Sequence, residues 1–204
     1  MRIFLARHGK DNERVRGGWS QEALVPEGIH QARWLAEHLR SKQPKYGISR
    51  IITSDLPRAL QTAQIVQEVL GVPLDTSQAF REINNGVLAG MDNDRALREY
   101  PGLFFRALAM DEAYPGGESP HAFYRRVEDA FYTLADSLHG EDNILLVTHR
   151  GVIDIIYYIV KGMEWTNRSE SSPVAYASLH MLEKRDGRWQ LVIRNEHRSS
   201  GSKR

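Results

Sequence analysis

The chain predicts an α/β fold, a three-layer sandwich around a mainly parallel sheet. Two patterns carry the prediction: short apolar runs alternate with amphipathic helix patterns along the 204 residues, and the chain closes with a hairpin signature. A third observation indicates where such a sheet would be used. Apolar runs end in Arg7-His8-Gly9, in Ser54-Asp55-Leu56-Pro57-Arg58 and in Thr148-His149, and sheets of this kind bind ligands beyond the carboxyl ends of their strands. No internal repeat or linker divides the sequence, so residues 1–204 read as one domain.

In order, Ile3-Phe4-Leu5-Ala6 is an apolar run ending at polar residues and Gly9, the pattern of a buried strand entering a loop. Over 26–41, Ile29, Ala32, Leu35, Ala36 and Leu39 fall on one helical face. Ile51-Ile52 form a second short strand. Pro57 suits the first turn of a helix whose apolar side continues through Leu60, Ala63, Val66 and Leu70 before Gly71 stops it. Residues 84–118 are irregular and rich in turn residues, and read as a cap-like insert outside the sheet. Ser119-Pro120 then make a cap and first turn. Behind them Phe123, Val127, Ala130, Phe131, Leu134 and Leu138 mark a strongly amphipathic helix stopped at Gly140. Residues 143–148 read as a buried strand and 151–161 as a helix. Two extended runs, 175–183 and 188–195, meet at Asp186-Gly187, a favoured hairpin turn. The tail, about 198–204, is polar and expected to fray.

Charge is almost balanced: 27 Lys and Arg against 26 Asp and Glu, a formal net charge of +1. Nucleic-acid and membrane-surface binders normally carry a basic excess, so neither is an expected partner. With no cysteine, disulfides, thiolate catalysis and cysteine-bound zinc are excluded, and a reducing cytosol is compatible. The opening apolar run is too short for a signal-peptide core, and the later run 151–160, broken by Asp154, falls short of a membrane span. A soluble cytoplasmic protein is expected, with a homo-oligomer left open.

Two histidines and two arginines gathered at one sheet edge suit a phosphoryl group. Arginine presents a planar fork of donors and a charge that does not titrate away. Histidine, with an unperturbed pKa of about 6.5, keeps a free lone pair near neutral pH. In line behind phosphorus, that nitrogen can attack and form a phosphohistidine while surrounding cations stabilise the equatorial oxygens.

The chain resembles the histidine phosphatase (phosphoglycerate mutase-like) superfamily. Arg7-His8-Gly9 matches that family's signature triplet, and the segment 53–63, with Arg58, matches its second signature. Arg81-Glu82-Ile83 with Gly86 and Leu88-Ala89-Gly90 resembles its acidic motif. Pro115-Gly116-Gly117-Glu118-Ser119 matches the turn before its long helix, and Val147-Thr148-His149-Arg150-Gly151 the strand end with a second histidine. The motifs stand in family order across nearly the whole chain. The resemblance implies His8 as nucleophile, Arg7, Arg58 and His149 as phosphate ligands, and Glu82 as the acid that protonates the leaving oxygen. Gly9, Lys10, Arg14 and Arg150 join them as candidate substrate-binding residues, with Arg150 weighed against a solvent-facing position. No metal and no cofactor is implied, because arginines and histidines supply the positive charge. His30, His38, His121, His139, His180 and His197 stand outside any motif and are expected to be surface or structural; Trp34 is expected to pack, and Ser54 to serve a turn or cap.

Departures from the pattern select a branch. Lys10-Asp11 replaces the Glu-Thr or Glu-Ser common after the triplet, and Arg150 stands where relatives usually carry glycine. Gly18-Trp19 is similar to a mutase pair. However, the acidic motif lacks the Glu-Arg-His-Tyr-Gly run typical of cofactor-dependent mutases, and the insert is short for their extra substrate-binding segment. The expected activity is hydrolysis of a small phosphate monoester through a phosphohistidine. A mutase-type isomerase and a non-catalytic phosphate-ligand module are the alternatives.

Overall fold

The computed structural model describes residues 1–140 and 142–198. Strand β1 (Arg2–Arg7) and helix α1 (Pro26–Tyr46) open the chain, followed by β2 (Arg50–Thr53), α2 (Pro57–Leu70) and a short β3 (Leu74–Thr76). Helix α3 (Asn93–Glu99) lies in the insert. Then come α4 (Pro120–Asp136), β4 (Asn143–Thr148), α5 (Arg150–Lys161) and the hairpin β5 (Leu179–Arg185) and β6 (Arg188–Glu196).

All six strands form one sheet, in the order β3-β2-β4-β1-β5-β6. The pairs β1–β4, β2–β4 and β2–β3 are parallel; β1–β5 and β5–β6 are antiparallel. Strand residues alternate between two cores. Ile3, Leu5, Ile144 and Leu146 pack with Phe123, Val127, Phe131, Ile153 and Ile156 of α4 and α5. Phe4, Ala6, Leu145 and Val147 pack with Leu35, Leu39, Ala63 and Val66 of α1 and α2. The sheet is therefore the middle of three layers, and each fully buried Leu, Ile or Phe contributes roughly 1.5–3 kcal/mol.

Strand β4 fits the reading of the sequence to the residue, and Asp186 and Gly187 both turn with positive φ (50° and 76°), as a tight hairpin demands. Ser119 caps α4 as expected, its Oγ accepting from the Ala122 N–H at 3.1 Å. Other elements depart. Helix α1 runs five residues past the expected 41, through Pro44, because Tyr46 is buried against Phe4 with ring centroids 4.6 Å apart. Helix α2 buries Ala59, Thr62, Ala63 and Val66, leaving Leu60 and Leu70 half-buried, so its inner face is rotated from the expected one. Helix α4 ends at Asp136, before the expected stop at Gly140, although Leu138 is buried.

Strand β3 and helix α3 were not anticipated. The first is three residues at the sheet edge with a single half-buried apolar side chain, Leu74. The second is capped by Asp92, whose Oδ1 accepts from the Asp94 and Arg95 N–H groups at 3.0 Å. Residues 84–118 add no strand to the sheet; Leu88, Ala96, Leu108 and Tyr114 form a small core of their own. Of the tail expected to fray, 199–204 lie outside the described residues. No helix among the described residues is long and apolar enough to cross a membrane.

Candidate active site

Strand order assembles the site. Because β4 lies between β1 and β2, the ends of these three strands are neighbours. Pairing Arg7 with Thr148 and Thr53 with Val147 sets His8, His149 and Ser54 side by side just beyond the last rungs. The His8 N–H still donates to the Thr148 carbonyl (3.0 Å) and the Ser54 N–H to Val147 (3.0 Å), so the pairing carries into the site.

His8 is 4 % exposed. Its Nδ1 lies 2.7 Å from the Gly9 carbonyl, which can only accept, so Nδ1 carries the hydrogen. Nε2 is left with its lone pair and faces Arg58 Nε at 3.3 Å. Burial first, then the charges of Arg58 and Arg7, holds the His8 pKa well below the usual 6.5, so the neutral imidazole is the form present near pH 7. The backbone is clamped behind it. The Gly9 N–H donates to Thr62 Oγ1 at 3.1 Å, and a Cβ on Gly9 would sit 2.4 Å from the Gly28 carbonyl oxygen, so the first turn of α1 presses directly on the loop.

Arg58, in the first turn of α2, is 2 % exposed. Its Nη1 donates to the Ser20 carbonyl (3.3 Å) and hydroxyl (3.2 Å) and its Nη2 to the Gly18 carbonyl (2.7 Å). Arg7 donates through Nη1 to the Val174 carbonyl at 2.8 Å, and its guanidinium carbon lies 3.7 Å from the centre of the Tyr176 ring. Its buried Nε has no hydrogen-bond partner.

His149 is fully buried, its ring centroid 5.1 Å from that of His8. Ser54 Oγ accepts from the Leu56 N–H at 3.3 Å and lies 2.8 Å from His149 Nε2. With the hydroxyl hydrogen given to Nε2, the His149 proton resides on Nδ1, and Nδ1 is buried without a partner. Burial, followed by Arg58, His8 and Arg7, also pushes the His149 pKa far down. The turn-or-cap expectation for Ser54 is met, with orientation of His149 as an added task.

Glu82 reaches the site from the segment after β3. Its Oε2 accepts from the Gly151 N–H at 3.0 Å and its Oε1 from Ile83 at 3.1 Å. A Cβ on Gly151 would fall 2.3 Å from Oε1, so this approach requires glycine there. Its charge acts on both Arg7 and Arg58. The segment is held by Arg126, which the sequence reading missed. Arg126 donates to the carbonyls of Ala79 (2.8 Å), Arg81 (3.0 Å) and Glu82 (3.2 Å) and pairs with Glu118 at 2.5 Å. Trp19 Nε1 adds a bond to the Glu82 carbonyl at 2.7 Å. The only signal in the sequence was an arginine beside the apolar stripe of α4, eight residues after Glu118.

The structure thus brings together His8, Gly9, Arg7, Arg58, Glu82 and His149. Lys10 and Arg14 stand apart. The Lys10 ammonium pairs with Glu27 (3.0 Å) and Glu13 (3.2 Å), and Arg14 is exposed on the loop. Arg150 opens α5 beside Arg7 and is exposed, the solvent-facing alternative of the two weighed for it. The six histidines outside the motifs are surface or structural, with only His180 fully buried, and Trp34 packs at the edge of the α1–α2 core. Tyr176, before β5, is a further residue at the pocket that the sequence did not mark, and Asp11, noted there only as a departure from the family pattern, places its Oδ2 3.3 Å from Arg58 Nε. Among the described residues no group of three or more His, Asp or Glu has the arrangement of a metal site.

A sheet of this order with two buried histidines at its carboxyl edge matches a known class. Residues 3–197 fit the family model of the histidine phosphatase superfamily (branch 1), and the chain belongs to that superfamily. The probable phosphoglycerate mutase GpmB of Salmonella paratyphi B is 30% identical over 174 residues, covering 82% of this chain and 79% of that protein. Among solved structures, the alpha-ribazole phosphatase of Shigella flexneri superposes with a TM-score of 0.80 at 22% identity, over 96% of each chain. YhfR of Bacillus stearothermophilus gives 0.80 at 26% identity, over 94% of this chain and 95% of that one.

Proposed function

We propose that the chain is a phosphomonoesterase that acts on a small phosphorylated metabolite through a phosphohistidine at His8. One observation carries this reading: the unprotonated Nε2 of His8 lies among buried guanidinium and imidazole groups, of which Arg7 Nε, a donor, and His149 Nδ1 have no partner. Buried donors left unsatisfied are costly unless a ligand completes them. A phosphoryl group supplies several acceptor oxygens at once.

In the first step Nε2 attacks phosphorus and the bond to the alcohol oxygen breaks. The leaving oxygen takes that electron pair and a proton from Glu82, which must first have taken one up, as from the arriving phosphate monoester. Arg7, Arg58 and His149 stabilise the equatorial oxygens as charge develops on them. Water then attacks the phosphohistidine and gives its proton to Glu82; the N–P bond breaks, Nε2 recovers its lone pair and phosphate leaves. The Gly151 and Ile83 N–H groups orient the Glu82 carboxyl throughout. The scheme uses no metal, so turnover in excess chelator is expected.

A mutase reading draws support from the relative named a probable phosphoglycerate mutase and from Gly18-Trp19. The hydrolytic reading is preferred because Ile83-Asn84-Asn85-Gly86 follows Glu82 where mutases carry a basic run, and the insert is short. Phosphate release measured over a panel of monoesters, beside a phosphoglycerate interconversion assay with and without bisphosphoglycerate, tests the choice. Hydrolysis without interconversion is expected; rapid, primer-stimulated interconversion would overturn it.

A further inference from the structure

Arg58 is nearly enclosed, and the use of its nitrogens is informative. Nη1 donates to the Ser20 carbonyl and hydroxyl, and Nη2 directs one of its two hydrogens to the Gly18 carbonyl. Arg58 Nε donates to Nε2 of His8 at 3.3 Å and lies 3.3 Å from Oδ2 of Asp11 in an ion pair. The nitrogen proposed to attack phosphorus and a carboxylate thus meet at one edge of the guanidinium. Asp11 does not swing freely. Its side chain is 12 % exposed and its backbone pairs with Leu24.

The carboxylate is not neutralised from elsewhere on its loop. Lys10, its neighbour, is held by Glu13 and Glu27. The field of Asp11 reaches both arginines, opposing the fall in pKa that burial imposes on Arg58 and Arg7. Where the superfamily pattern has threonine or serine two residues after the triplet, a neutral hydroxyl, this chain places a fixed negative charge. Carboxylate and phosphate oxygens accept from guanidinium in the same way. A phosphoryl group drawn up to His8 therefore meets an anion already lodged against Arg58.

We propose that Asp11 is a built-in competitor for phosphate. Its carboxylate holds the Nε edge of Arg58 in the free protein, yields it to the phosphoryl group of the substrate, and reclaims it as inorganic phosphate departs. Asp11 thereby sets the affinity of the pocket for its product. The proposal rests on the reading that phosphate binds at His8, and adds a residue that weakens this binding where its neighbours strengthen it.

The test is direct binding of inorganic phosphate and of orthovanadate to the wild type and to Asp11→Asn, by calorimetry and by competitive inhibition of monoester hydrolysis. Asparagine keeps the size and one acceptor oxygen while removing the charge. Both anions should bind Asp11→Asn about tenfold tighter or more, the expected size for one unit charge removed at close range in a partly screened site. KM should fall in the same direction. Weaker binding would make Asp11 a support for Arg58 and overturn the proposal. Unchanged affinity with a loss of kcat confined to alkyl esters would make it an acid and overturn it as well. Should Asp11→Asn fold poorly, Asp11→Ser gives the same readout with the same expected direction. A wild type that hydrolyses no monoester and forms no phosphoprotein would remove the reading of the site and the competitor together. Normal hydrolysis with unchanged affinity in the variants would remove the competitor alone.

Discussion

Two clusters of buried histidine lie on this sheet, and they differ in what is left over. His180, on β5, is fully buried and fully used. Its Nδ1 accepts from the Tyr157 hydroxyl at 2.5 Å and the Asn195 N–H at 3.1 Å, and its Nε2 donates to Ser178 Oγ at 2.9 Å. Ser178 in turn donates to the Ala175 carbonyl at 2.7 Å, which closes the network. At the ends of β1 and β4, by contrast, His8 keeps a lone pair pointed at Arg58, while His149 Nδ1 and Arg7 Nε have no partner. Burial lowers the pKa of all three histidines. Burial and a shifted pKa therefore do not separate a structural histidine from a reactive one. What distinguishes the strand-end pair is the setting of the unpartnered atoms: His149 Nδ1 and Arg7 Nε lie at the same strand ends as an imidazole nitrogen whose one acceptor bond, 3.3 Å from Arg58 Nε, a ligand can replace.

The largest effect that could break this contrast is loss of the nucleophile. His8→Ala should keep its fold, checked by circular dichroism, and lose at least about a thousandfold in kcat. A rapidly quenched wild-type reaction should contain an acid-labile, base-stable phosphoprotein that the variant lacks. Full activity in the variant would end the assignment. Next in size comes Glu82→Gln, which keeps the acceptor oxygen and removes the transferable proton. It should slow the phosphorylation step on alkyl phosphates by about a hundredfold or more and on nitrophenyl phosphate far less, because nitrophenolate leaves without protonation. Equal losses on both substrates would reduce Glu82 to a binding or orienting residue.

The structural cluster should answer in stability instead. His180→Ala leaves the buried Tyr157 hydroxyl without an acceptor, at a cost of about 1–3 kcal/mol, and frees the part-buried Asn195 N–H at a smaller one. The folded fraction should turn over at the wild-type rate. A large fall in kcat at unchanged stability would erase the contrast. Acid sharpens the same point. With folded pKa values below the unfolded 6.5, all three histidines stay neutral in the native state while the unfolded chain takes up protons, so stability is complete above about pH 6.5 and declines as pH falls. For His180 that window runs from 6.5 down to about 4. Denaturant midpoints measured across it should drop with acidification; a flat profile would contradict the burial of these rings. The smallest effects belong to the loop cations: Lys10→Ala and Arg14→Ala should each change kcat/KM less than about threefold, since Arg14 is exposed and screened and the Lys10 charge is already paired with Glu13 and Glu27.

The sequence by itself settled the elements that local pattern specifies and the residues that motifs mark. The 3.6-residue apolar period of α4, the run of 143–148 and the Asp-Gly turn need only neighbouring residues to declare themselves, and the structure holds all three. Arg7, His8, Arg58, Glu82 and His149 were recognisable because each sits in a short ordered motif. The tertiary structure alone decided that β4 lies between β1 and β2, and with it that His8 and His149 share one pocket. It also decided the rotation of α2, the continuation of α1 to bury Tyr46, and the grip of Arg126 on the segment carrying Glu82. Lys10 and Asp11 show the division most sharply. Adjacent in sequence and alike in being charged, one is turned outward to Glu13 and Glu27 and the other inward to Arg58. Which way each faces depends on the pairing of Asp11 with Leu24 and on the close approach of Gly28 to the Lys10 carbonyl, contacts across the fold that no local pattern encodes.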